Sequence, residues 1–233
     1  MKRFSLVLLT LLATAGTTLA QTKQSRTPGS FRAVEAGGGI DVFLAQGPST
    51  AVVVEADNDV QRHLITEVKG GTLVINWEKG YSWKNLLSSN RKANVYVTAP
   101  QLEAVTASGG SDVRGQSPIK ATSFRVTASG GSDVTLTLNA STLSGTASGG
   151  SDLRLDGRVE RQTVSVSGGA DYLAFGLQSK AAVITASGGA DANVSVDDEL
   201  SATASGGSDV RYKGQARVLK SNASGGSSVR RAQ

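Results

Sequence analysis

Residues 127–134 read TASGGSDV, and that phrase recurs through the second half of the chain. Its core is SGGSD at Ser108, Ser129, Ser148 and Ser205, SGGAD at Ser167 and Ser187, and SGGSS at Ser224. Successive copies lie 21, 19, 19, 20, 18 and 19 residues apart. A fixed period near 20 marks a solenoid, in which each repeat buries its apolar face only by stacking on its neighbours. Five residues before each Asp (Ser228 in the last copy) stand Ala107, Ala128, Ala147, Val166, Ala186, Ala204 and Ala223. One residue after it stand Val113, Val134, Leu153, Tyr172, Ala192, Val210 and Val229. Leu136, Leu155, Ala174, Val194 and Tyr212 continue that face two residues on. The alternation has period two, so a strand lies on each side of the Gly-Gly turn.

The predicted fold is all-β: a single-domain parallel β-solenoid, β-helix-like, with about 19–20 residues per coil and an elaborated N-terminal β cap. Coils that hydrogen-bond at about 4.8 Å make a stack of seven roughly 30–35 Å long. The small Ala row permits a thin core, which fits an aromatic content of only 5%. A β-propeller is excluded, because so short a repeat cannot supply the four strands of a blade.

Upstream the pattern loosens. Apolar alternation runs through 40–44, 51–54, 73–77 and 93–97. Asp57 to Leu64 is expected as one or two helical turns with Asp57 or Asn58 as N-cap. Lys69-Gly70-Gly71-Thr72 reads as a tight hairpin. Gly38-Gly39-Ile40-Asp41-Val42 echoes GGSDV and reads as a degenerate first coil. Residues 46–106 are then expected to cover the N-terminal end, which would otherwise be an open edge.

Lys2 and Arg3 precede an apolar run from Phe4 to Leu12, and Thr18-Leu19-Ala20 offers small residues at a cleavage site. This is the build of a secretory signal peptide. The expected organisation is 1–20 signal peptide, 21–30 flexible linker and 31–230 solenoid, irregular over 31–106 and regular over 107–230. No later segment is apolar enough to span a bilayer once the signal is removed. Loss of Lys2 and Arg3 leaves 22 basic against 19 acidic residues, net +3. With no Lys/Arg block longer than two, nucleic acid is not an expected partner. The absence of Cys excludes disulfides, Cys-ligated zinc and thiol catalysis.

Three segments in order carry a family resemblance: GGGIDVFLAQG (Gly37–Gly47), VKGGTLVIN (Val68–Asn76) and VYVTAPQLEAVTASGGSDV (Val95–Val113), followed by the SGGxD coils. Over about residues 31–230 the chain resembles the DUF2807 family, called the "putative autotransporter adhesin, head GIN domain" family. The resemblance implies an exported bacterial protein with a β-helix-like fold and a role in adhesion. It carries over no catalytic or binding residues.

Three surface features compete for function. Asp112, Asp133, Asp152, Asp171, Asp191 and Asp209 form one row. Calcium is one reading, but calcium-binding nonapeptide repeats have a different period, so each Asp is expected to cap its own turn and no cofactor is expected. Two hydroxyl rows, including Thr127, Ser129, Thr146, Ser148, Thr185, Ser187, Thr203 and Ser205, flank the inward Ala and should face outward. Such a lattice could bind sugars or ordered water, although Thr also suits strands and Ser suits turns. A basic row at Arg114, Arg154, Arg211 and Arg230 could meet acidic glycans or simply solvate a sheet face. Separately, Trp77, Tyr81 and Trp83 could stack on sugars or pack as a cap over the stack. His63 sits among polar residues and is expected at the surface rather than as a general base.

The sequence therefore reads as an exported, non-enzymatic, adhesin-like or envelope-associated binding module whose partner is a glycan or other cell-surface component. It would reside in the periplasm, at the outer surface or outside the cell, with self-association through a solenoid end as a further contact. The alternative is a polysaccharide-active lyase or hydrolase on the same scaffold.

Overall fold

A computed structural model describes residues 22–81 and 93–232. The expected signal peptide and Trp83 lie outside them. The elements run β1 (Thr22–Arg26), β2 (Ala33–Ala36), β3 (Asp41–Gln46), β4 (Ala51–Ala56), α1 (Asn58–His63), β5 (Leu64–Lys69), β6 (Thr72–Trp77) and β7 (Asn94–Ala99). There follow β8 (Ala104–Ser108), β9 (Asp112–Gly115), β10 (Ile119–Ser129), β11 (Asp133–Gly149), β12 (Asp152–Gly168) and β13 (Asp171–Gly188). The last are β14 (Asp191–Gly206), β15 (Asp209–Lys213), β16 (Arg217–Gly225) and β17 (Ser228–Arg231).

From β8 onward the chain winds as a parallel β-solenoid. The strand before each Gly-Gly corner pairs in parallel register along β8, β10, β11, β12, β13, β14 and β16. The strand after it pairs along β9, β11, β12, β13, β14, β15 and β17. Ala107, Ala128, Ala147, Val166, Ala186 and Ala204 are fully buried, as are Val113, Val134, Leu153, Tyr172, Ala192 and Val210. These two rows meet across a thin apolar core. The first glycine of a corner cannot be replaced cheaply. Gly206 has φ +77°, and a Cβ there would lie 2.9 Å from the Gly188 carbonyl oxygen of the coil below.

The stacking order is not the sequence order. β2 and β3 form a coil around a Gly-Gly corner, but it is not the outermost one. β2 lies between β6 and β8, and β3 between β7 and β9. The chain leaves β3, runs out through β4, α1 and β5, and returns as β6 and β7 to add a coil on the far side. β5 then pairs antiparallel with β6 and β4 with β7, which ends the parallel stack. Lys69 and Thr72 close the expected hairpin. Helix α1 has Asp57 as N-cap, without a side-chain capping bond, and buries Val60.

Thr22–Arg26, expected as part of a flexible linker, is instead a strand paired antiparallel with β4. Its side chains are polar and mostly exposed, so it left no hydrophobic signal. It is held by backbone pairing and by Gln61, whose Nε2 donates to the Thr22 carbonyl at 2.6 Å and the Val54 carbonyl at 3.2 Å. The other end of the stack is different. Every residue of β16 is exposed, including Val218 (38%) and Leu219 (53%), because no described residue packs beyond it. No described helix is long and apolar enough to cross a membrane.

Candidate functional site: the hydroxyl face and its neighbours

The strands before the Gly-Gly corners carry the hydroxyl rows. Thr106, Thr127, Thr146, Ser165, Thr185, Thr203 and Asn222 lie in register, as do Ser108, Ser129, Ser148, Ser167, Ser187, Ser205 and Ser224. Thr146 and Thr185 are exposed, and Thr127, Thr203 and the corner serines from Ser108 to Ser205 are half-buried, whereas Ser224 on the end coil is exposed. The structure thus gathers Thr127, Ser129, Thr146, Ser148, Thr185, Ser187, Thr203 and Ser205 on one outward face. Neighbouring hydroxyls repeat at about 4.8 Å between coils and about 7 Å along a strand.

Trp77 and Tyr81 stand apart from this lattice, at the N-terminal end of the stack. The Trp77 indole N–H donates to the Gly38 carbonyl at 2.7 Å. Its ring packs so close to Gly38 that a Cβ there would fall 2.5 Å from it. Tyr81 lies against Trp77 and stacks on His63 at 4.3 Å. His63 Nδ1 is 3.0 Å from Glu78. These contacts lay Trp77 over the corner of the β2–β3 coil.

The Gly-Gly corner is closed by a residue the sequence reading passed over. Ser132 Oγ accepts the Ser129 amide at 2.9 Å and donates to the Ala107 carbonyl at 3.0 Å. Ser151 repeats this with Ser148 and Ala128, and Ser208 with Ser205 and Ala186. All three are fully buried, and Ala170 and Ala190 fill the same place in two coils. Each such serine closes its own turn and ties the coil to the one below. The signal was the strict Ser/Ala choice one residue before the Asp, at the same inward parity as the Val that follows.

The Asp residues do not do this work, against expectation. They face outward and stack in register from Asp112 to Asp209, ending on Ser228. Like charges so placed repel. At the ends, arginines relieve them. Arg114 is 2.7 Å from Asp112 and 3.9 Å from Asp41. Arg211 is 3.1 Å from Asp209 and 3.5 Å from Asp191. Ser228 Oγ donates to Asp209 at 2.7 Å, and this bond, with Arg230 and Arg211, holds the Asp209 carboxyl below its ordinary range. In the middle, burial and then the charges of Asp133 and Asp171 push Asp152 up, against a smaller opposing pull from Arg154. The basic row is therefore the counter-charge of the acidic row. Among the described residues no group of three or more Asp, Glu or His side chains is placed to hold a metal ion.

An aromatic pair also went unnoticed in the sequence. Phe43 and Tyr96 stack at 5.0 Å on the outward side of β3 and β7, with Tyr96 Oη donating to Glu55 at 2.8 Å. Both sit at outward parity beside Asp41 and Asn94.

Comparison with known proteins adds the following. The profile of the family described as "Putative auto-transporter adhesin, head GIN domain" matches residues 30–216. A solved structure of a "putative adhesin" from Bacteroides fragilis superposes with a TM-score of 0.84 at 17% identity, covering 92% of this chain and 98% of the other. A "putative adhesin" from Parabacteroides merdae gives 0.72 at 20% identity, covering 92% and 97%. A "putative lipid binding protein" from Parabacteroides distasonis gives 0.71 at 18% identity, again covering 92% and 97%. At these identities the likeness is one of fold. No curated protein matches the chain.

Proposed function

Because the chain belongs to the DUF2807 family of adhesin-like head GIN domains, we propose that it is an exported, non-enzymatic binding module of the cell envelope that holds a glycan on its hydroxyl face. The observation that carries this reading is the in-register Thr and Ser lattice. A single neutral hydrogen bond contributes only about 0.5–1.5 kcal/mol net. A polymer with repeating hydroxyls can make many such contacts at once, and no loop needs to be ordered to meet it. Cleavage after Ala20 would deliver the mature chain beyond the inner membrane.

The test is a glycan array probed with the mature protein and with a Thr146→Val/Thr185→Val variant, which keeps shape and removes two exposed hydroxyls. The reading expects a defined set of bound uncharged glycans whose signal falls in the variant. Equal signals for both proteins on every uncharged glycan, or no bound uncharged glycan, would contradict it. Release of new reducing ends or unsaturated sugars from a bound glycan would favour the alternative of a polysaccharide-active enzyme.

A further inference from the structure

The corner opposite the Gly-Gly turns is a second surface, distinct from the hydroxyl face and independent of the reading given to that face. Here the coils dip inward. Ala121, Ala140, Val159 and Ser179 stack in register and form a floor of small side chains. Lys120, Asn139, Arg158 and Gln178 stand beside them as one rim. Ser141, Glu160 and Lys180 stand on the other. The result is an open cleft of about 610 Å³. It shares Ala121, Asn139 and Ser141 with a neighbouring cleft of about 860 Å³ that runs on toward Arg32 and Glu103. Together they make one trough parallel to the coil axis.

Its floor is fixed from below. Among the described residues Tyr172 is the largest fully buried side chain, and its hydroxyl reaches across the core to this corner. Its hydroxyl donates to Gln162 Oε1 at 2.7 Å, Gln162 Nε2 donates to Ser179 Oγ at 2.8 Å, and Ser179 Oγ donates to the Ser195 carbonyl at 2.8 Å. A satisfied buried network of this kind holds a surface in one shape.

The charges are ordered along the trough. Glu160 pairs with Lys180, and Arg32 pairs with Glu103. Lys120 and Arg125 have no acidic partner among the described residues, and Arg158 donates only to the neutral Gln178 amide. Lys120 and Arg158 are two coils apart, about 10 Å, close to the length of a disaccharide unit. Asp197 and Asp198 close the far end with the opposite charge. Between the cations lie amide and hydroxyl groups of Asn139 and Ser141. The strands spend their backbone hydrogen bonds between coils, so the trough offers no free edge to a peptide strand. Neither cleft has an aromatic residue in its wall on which a nucleic-acid base could stack.

The geometry points to this trough as a binding site for a linear acidic glycan, a chain with a carboxylate on alternate sugars, seated parallel to the coil axis. Lys120 and Arg158 each take one carboxylate, and Asn139 and Ser141 meet the hydroxyls of the sugar between. Asp197 and Asp198 repel the next carboxylate and so set where the bound stretch stops.

Titration calorimetry tests this with the mature protein and a short oligosaccharide of alternating glucuronate and N-acetylglucosamine. The same oligosaccharide with its carboxylates methyl-esterified and a single-stranded oligonucleotide are the comparison ligands. The acidic sugar binds, and esterification weakens it about tenfold or more, as expected for lost charge-assisted bonds. Lys120→Ala/Arg158→Ala causes a similar loss at unchanged thermal midpoint. Arg62→Ala/Lys69→Ala removes equal charge from the N-terminal cap and keeps the parent affinity. The proposal is overturned if the acidic sugar does not bind, if the ester binds equally well, if the cap variant loses as much as the trough variant, or if the oligonucleotide binds as tightly as the sugar.

Discussion

Ala147 and Thr146 are neighbours in sequence and opposites in environment. Ala147 is fully buried where the two inner rows meet, and Thr146 is exposed. Ala147→Leu forces three carbons into a close-packed coil and should cost about 1–3 kcal/mol. Thr146→Val should cost much less. Denaturant unfolding of the two variants checks this, and equal losses would contradict the inside/outside assignment. The Asp ladder gives a second contrast, because two of its members, Asp152 and Asp209, are shifted in opposite directions. Asp152 is raised above the ordinary 3.8, so its charge weakens the folded state at neutral pH. That penalty is relieved as pH falls through the raised folded value toward 3.8. Asp209 is lowered, so it contributes stability that is present above 3.8 and lost as pH falls through its depressed value. Asp152→Asn should therefore raise the neutral-pH thermal midpoint and Asp209→Asn should lower it. A common sign for the two changes would show that the arginines and Ser228 do not govern the ladder.

At the scale of elements, what was legible followed from backbone constraint. A Gly-Gly corner that stacks on another corner leaves a fixed phrase at a fixed spacing, so the regular coils could be read directly from Ser108 to Ser224. The inserted coil could not. Its strands β6 and β7 carry no such phrase between them, and nothing local says that they return to the far side of β2 and β3. β1 was hidden for another reason: a strand held by backbone pairing to β4, with polar side chains facing water, has no hydrophobic period. The hydroxyl rows were visible because Thr and Ser repeat by identity. The trough was not, because Lys120, Asn139, Arg158 and Gln178 share a position but not a chemistry, and the changing repeat length obscures their register. The burial of Ser132, Ser151 and Ser208 shows in the sequence only as the Ser/Ala choice one residue before the Asp. Ser151→Ala should cost about 1–3 kcal/mol, since it leaves a buried carbonyl and amide without a partner. Ala170 and Ala190 show that a coil can form without this hydroxyl, so the variant should still fold. Loss of all cooperative unfolding would contradict that.

As a whole molecule the stack has unlike ends. The N-terminal end is finished by antiparallel β4, β5 and β1, with Gln61 tying α1 to β1 and β4. The other end exposes β16 and β17, whose outer backbone groups meet no described partner. Arg230 and Arg231 place charge on that edge, a common guard against edge-to-edge pairing. Arg230→Thr/Arg231→Thr should raise the scattering mass at equal concentration with the fold unchanged. Scattering identical to the parent would show that the charges are not what keeps this edge apart.

The hydroxyl face between these ends is the proposed seat of an uncharged glycan, and methyl-detected NMR addresses it most directly. Thr methyl resonances of the mature protein would be followed during titration with the uncharged glycan that gives the strongest array signal. Saturable shifts are expected at Thr127, Thr146, Thr185 and Thr203 together, with the unrelated Thr135 and Thr137 beside the acidic row unmoved. Saturable shifts confined to residues off the hydroxyl face, with those four threonines unchanged, would contradict it.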